Sequence, residues 1–94
     1  MHVGWLRLAL QDLDVAAEFI STDSPQRSLH FLESVFSSGE RLMRFPSLGR
    51  PGRASGTCEL VLSGTPDIVP YRMRGDVVQI LRVLHAAREW PAQF

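Results

Sequence analysis

The chain has 94 residues, 45% apolar and 21% charged, enough for one modest core but too short for two and too apolar for a disordered segment. Ten basic and ten acidic residues cancel to a formal charge of zero, which excludes a uniformly basic nucleic-acid binder. All ten basic residues are arginine, which reflects either compositional bias or the use of planar, bidentate donors toward carboxylates or phosphates. Cys58 is alone, so neither an intramolecular disulfide nor a cysteine metal site is available. No apolar run has the length of a membrane span or signal peptide, and the expected location is the cytoplasm.

Residues Val3 to Arg7 suit a short strand with Trp5 turned inward. Leu10, Leu13, Ala17 and Ile20 then recur at helical spacing, with Gln11, Asp12, Asp14 and Glu18 on the other side. This predicts an amphipathic helix of about three turns, broken at Ser21 to Ser24. Ser24 as N-cap and Pro25 at the first helical position announce a second helix to about Arg44. Its expected stripe is Leu29, Leu32, Phe36 and Met43, widened by Phe31, Val35 and Leu42. A polar link this short predicts a helical hairpin. Phe45-Pro46 ends the helix, and the stretch to Gly56 reads as a loop.

The rest reads as strands. Cys58 to Leu62 joins the next strand through the Ser63-Gly64-Thr65-Pro66 turn. Arg74-Gly75-Asp76-Val77 fits a two-residue hairpin turn, with glycine at the position that needs positive φ. That turn sets Met73 opposite Val78, Arg72 opposite Gln79, Tyr71 opposite Ile80, Pro70 opposite Leu81 and Val69 opposite Arg82. One face then carries Val69, Tyr71, Met73, Val78 and Ile80, the expected core face. The other carries Arg72, Arg74 and Gln79, with Leu81, Val83 and His85 further along, and is expected to be open. The fold class is α+β, with a short N-terminal strand and a helical hairpin packed on one face of a small antiparallel sheet.

Several side chains could carry chemistry. His85, grouped with Gln79, Arg72 and Arg88, could move a proton in RNA cleavage or simply fix the strand end. Arg50 and Arg53 flank Pro51-Gly52 and could present two guanidiniums to phosphates or carboxylates, or merely solubilise a turn. Glu59 reads as the ion-pair partner of Arg53 or Arg72 in preference to a general base. Trp90 either stacks on a partner or covers the edge of the core. The phenol of Tyr71, on the core face, reads as structural. No His/Asp cluster has metal-ligand spacing.

Trp5, Asp12-Leu13, Gly49-Arg50-Pro51-Gly52-Arg53, Glu59-Leu60-Val61, Val69-Pro70-Tyr71-Arg72, Leu81-Arg82-Val83-Leu84-His85 and Trp90-Pro91, in this order and spacing, resemble the RelE/ParE superfamily. These are the toxins of type II toxin–antitoxin pairs, many of them plasmid-stabilisation modules. The resemblance covers nearly all of residues 1–94 and implies one toxin domain of the same fold. It also implies a co-encoded antitoxin as partner, contact with operator DNA only through that antitoxin, and no membrane, metal or cofactor. RelE-like members cut mRNA on the ribosome with basic residues on the sheet, whereas ParE-like members block DNA gyrase. Glu59 and Val61 stand where the RNases tend to have lysines, Ile68 where they have an arginine, and no tyrosine follows Tyr71. The ParE-like branch, a gyrase inhibitor and not an enzyme, is therefore expected. The alternative is an endoribonuclease using Arg72, Arg82, His85 and Arg88. The surface expected to bind target or partner comprises Arg50, Arg53, Arg72, Gln79, Arg82, Arg88 and Trp90.

Overall fold

The structure, a computed structural model, describes residues 1–94. Strand β1 (His2–Trp5) leads into helix α1 (Arg7–Asp23), and Ser24 alone links it to helix α2 (Pro25–Arg44). Strands β2 (Arg50–Pro51), β3 (Cys58–Val61), β4 (Asp67–Arg74), β5 (Val77–Ile80) and β6 (Leu84–His85) follow. The α+β class, the helical hairpin and its packing against the sheet are as the sequence predicts. The core joins Leu13, Phe31, Val35 and Leu42 of the helices to Leu60, Val69, Tyr71, Val78 and Ile80 of the sheet. No helix is long and apolar enough to cross a membrane.

The α2 start is as expected: the Ser24 hydroxyl accepts the Arg27 N–H at 3.2 Å, with Pro25 at the first position. The predicted break at Ser21 does not occur. Ser21 and Thr22 stay helical, with their hydroxyls donating to the carbonyls of Glu18 and Phe19. Leu13, Phe31, Val35 and Leu42 are buried as expected, but the centre of each apolar face lies about one residue from the predicted one. On α1, Ala9 and Leu13 are buried and Leu10 is exposed. On α2 the inner face is Phe31, Val35, Ser38, Gly39 and Leu42, while Leu29 and Phe36 are exposed. Small residues explain the choice, because they let the layers approach closely. Ser28 donates to the Ala17 carbonyl across the hairpin, and a Cβ on Gly39 would lie 2.7 Å from the Trp5 ring. Trp5 is half-buried, with its ring edge-on to Phe36 at 5.1 Å.

The sheet is mixed, which the sequence reading did not foresee. Its order is β1-β5-β4-β3-β2, with β6 also paired to β4, and β1 runs parallel to β5 from His2↔Val77 to Trp5↔Ile80. Such a neighbour needs a long crossover, here the whole of α1 through β4. The β4–β5 hairpin has the predicted register, Tyr71↔Ile80 through Arg74↔Val77, with Gly75 at φ +60°. Met73, beside the hairpin turn, is exposed and not core.

Beyond Ile80 the register slips. The last bond of the first ladder runs from Leu81 N–H to the Pro70 carbonyl at 2.9 Å. Pro70 has no N–H to return, so pairing stops there. It resumes as Ile68↔Leu84 and Asp67↔His85, one residue later than the first register would give. A one-residue slip turns every following side chain to the opposite face. The expected Val69–Arg82 pair therefore does not form, and Val83 joins the core beneath the helices. The second sheet face is also less open than expected, since Ile68, Pro70, Leu81 and Leu84 are all buried.

Candidate functional site

The slip places Arg82 against α1. Its Nε and Nη2 donate to the two oxygens of Asp12 at 2.7 and 3.0 Å, and the Val83 N–H donates to the same carboxylate at 2.9 Å. The two side chains are only 15% and 11% exposed. The hydrogen bond to Asp12 raises the Arg82 pKa above the ordinary arginine value, so the guanidinium stays charged. This clamp fixes the irregular stretch between β5 and β6 to the first helix. Arg82 is thus engaged within the fold.

Glu59 organises the loop after α2. It is 3% exposed and accepts the Arg53 N–H at 2.7 Å and Arg50 Nη2 at 3.3 Å, with Arg53 Nε at 3.8 Å. The predicted ion pair with Arg53 is present, Arg50 shares it, and Arg72 does not take part. The Arg53 guanidinium lies 3.7 Å over the Trp90 ring, a cation–π contact, and the Trp90 indole donates to the His85 carbonyl at 3.1 Å. Arg50, Arg53 and Trp90 are therefore gathered on one surface by one buried carboxylate.

Beneath this loop the fully buried Tyr71 phenol donates to the Pro46 carbonyl at 2.7 Å and accepts the Gly49 N–H at 2.9 Å. Burial pushes its pKa above the ordinary value of 10.0, opposed by the Gly49 hydrogen bond and reinforced by Cys58. A Cβ on Gly49 would come within 2.7 Å of both that phenol oxygen and the Glu59 carbonyl oxygen, so only glycine fits. Tyr71 has the structural role read from the sequence.

His85 is exposed, and its Nδ1 accepts the Ala87 N–H at 3.1 Å. The register slip removes it from the face of Arg72 and Gln79. It instead lines a groove of about 670 Å³ along α1, together with Arg88, Val15, Phe19 and Ile20. Val15 and Phe19 are 70% and 78% exposed. Arg72 is elsewhere, with its Nε bonded to Gln79 Oε1 at 2.8 Å. The four residues of the ribonuclease reading are thus divided: His85 and Arg88 share the groove, Arg82 is clamped to Asp12, and Arg72 lines a separate cleft.

Asp12 was assigned by periodicity to the solvent side of its helix, and its partner lies 70 residues away. Pro70 inside a predicted central strand was the one local signal of the slip. Nothing local marked the exposed Val15 and Phe19 as a groove wall.

Comparison with known proteins gives consistent results. Residues 3–90 match the family model described as the ParE toxin of the type II toxin–antitoxin system parDE. A Sinorhizobium fredii protein named "Putative toxin Y4kP" is 38% identical over 90 residues, covering 96% of this chain and 93% of the relative. Toxin RelE2 of Caulobacter vibrioides is 28% identical over 87 residues, covering 93% and 97%. The solved chromosomal ParDE TA system from P. aeruginosa contains a chain that superposes with a TM-score of 0.80 at 27% identity, covering 90% of this chain and 95% of that one.

Proposed function

The chain belongs to the ParE toxin family and is the toxin of a type II toxin–antitoxin pair, and from that premise we propose that it acts by binding and inhibiting DNA gyrase, without chemistry of its own. The carrying observation is the dispersal of its proton-transfer candidates. Glu59 is buried under two arginines, Arg82 is held by Asp12, and His85 is turned away from Arg72. General acid–base catalysis needs its groups converging on one reacting bond, and this arrangement does not converge them. An inhibitor needs only a surface with a few arginine or aromatic anchors. Arg50, Arg53, Arg88 and Trp90 supply those.

The cognate antitoxin that the family implies would occupy the α1 groove. The exposure of Val15 and Phe19 at the rim of the groove supports that placement. Antitoxin segments that fold on binding suit such a surface.

A second reading, a ribosome-dependent mRNA endoribonuclease, draws on the likeness to Toxin RelE2. Two assays on purified protein separate the readings: inhibition of gyrase supercoiling, and cleavage of mRNA on translating ribosomes. The expected result is gyrase inhibition that His85→Gln retains and Arg88→Ala with Trp90→Ala strongly reduces. Ribosomal cleavage that His85→Gln abolishes in a folded protein would overturn the proposal.

A further inference from the structure

On the outer sheet face, the β4 end and the loop of residues 54–57 enclose a cleft of about 620 Å³ with the C-terminal segment. Its wall carries Arg72, Arg74, Met73 and Phe94, with Thr57 and Gln93, and no acidic side chain. The ion pairs of the chain involve His2, Arg50, Arg53 and Arg82, so neither Arg72 nor Arg74 has a carboxylate partner. In a chain of zero net charge, two unpaired guanidiniums on one wall concentrate positive potential locally. As alternate residues of one strand they point the same way, about 6.6 Å apart along it. That is close to the separation of successive phosphates in an extended single strand.

Phe94 and Met73 are both partly exposed beside them, at 37% and 39%. Guanidiniums along a groove with an aromatic face beside them are the two components of sequence-tolerant single-stranded nucleic-acid binding. A cleft of this volume is in the range that receives a nucleotide-sized ligand. Its wall has neither a histidine nor an acidic side chain to serve as a general acid or base.

We propose that this cleft binds a single-stranded polynucleotide, with successive phosphodiesters on Arg72 and Arg74 and a base against Phe94, and that it does so without cleaving it. The site is separate from Arg88 and the α1 groove.

The test uses the purified full chain and a fluorescently labelled ten-residue thymidine oligonucleotide, read by anisotropy across a salt series. Binding should weaken with salt, with a log–log slope of about 0.7 per phosphate neutralised. Arg72→Gln with Arg74→Gln should lower that slope by about 1.4, and Arg74→Gln alone, which breaks no hydrogen bond of the fold, by about 0.7. Phe94→Ala should cost at least about fivefold in affinity at constant slope, the low end for one stacked base. Unchanged thermal unfolding of each variant would confirm that the losses are local. An unchanged slope in the double variant would overturn the proposal. So would tighter binding of a duplex of the same sequence, equal competition by inorganic phosphate, or equal binding of a polyglutamate peptide, which would mark the cleft as a protein-carboxylate site.

Discussion

Asp12→Ala is the substitution whose effect the structure defines most sharply. The carboxylate accepts three donors, two from the Arg82 guanidinium and one from the Val83 amide. Truncation leaves a guanidinium only 15% exposed without its counter-charge, and an amide without an acceptor. Removing one partner of a buried pair costs about 3–5 kcal/mol. The exposed edge of Arg82 can recover some hydration, which places the expected loss near 3 kcal/mol. A domain of this size has roughly 5–14 kcal/mol in all. At about 4–8 °C per kcal/mol, Tm should fall by about 12–24 °C. Urea unfolding followed by circular dichroism should show a lower midpoint at unchanged slope. Asp12→Leu combined with Arg82→Met should recover most of the loss, because well-packed apolar pairs often replace buried ion pairs at little cost. A loss under about 1 kcal/mol for Asp12→Ala, or a double variant as unstable as the sum of the singles, would refute the clamp.

Two further outcomes follow from other parts of the molecule. The chain has one tyrosine, so an alkaline tyrosinate signal belongs to Tyr71 alone. Its folded pKa lies above 10.0, so the unfolded chain ionises first; stability is whole below pH 10 and falls as pH rises toward the folded value. Tyr71→Phe should lose about 1–3 kcal/mol at neutral pH, by orphaning the Pro46 carbonyl and Gly49 amide, and should lack that alkaline decline. Tyrosinate absorbance with parallel urea midpoints checks both, and an alkaline decline that persists in Tyr71→Phe would refute the assignment. Phe19→Asp should leave Tm within a few degrees, because the ring is 78% exposed, yet weaken antitoxin binding about thirtyfold or more by calorimetry. Unchanged affinity would place the antitoxin elsewhere.

Local chemistry was legible in the sequence, and long-range pairing was not. Ser24-Pro25 and Gly75 specified the α2 start and the hairpin register because capping and positive φ are properties of single residues and their neighbours. The parallel β1–β5 pairing leaves no periodic mark, because a strand's alternation is the same whichever neighbour it has. Leu13, Phe31, Val35 and Leu42 were legible as core, but the centres of the helix faces lie about one residue from where the periodicity puts them. Hydrophobicity alone favours Leu10 over Ala9 and Phe36 over Gly39, whereas close approach of the layers favours the small residue in each pair.

The site residues were misgrouped for one reason: the hairpin register was extended past a residue that cannot sustain it. Pro70 lacks the N–H that would answer Leu81, and the slip that follows sends Arg82 to Asp12, Val83 to the core and His85 to the α1 groove. The Asp12–Arg82 clamp and the separation of His85 from Arg72 are therefore consequences of a single missing donor. In a chain of this kind, a proline between two central partners carries more information about the site than the arginines beside it.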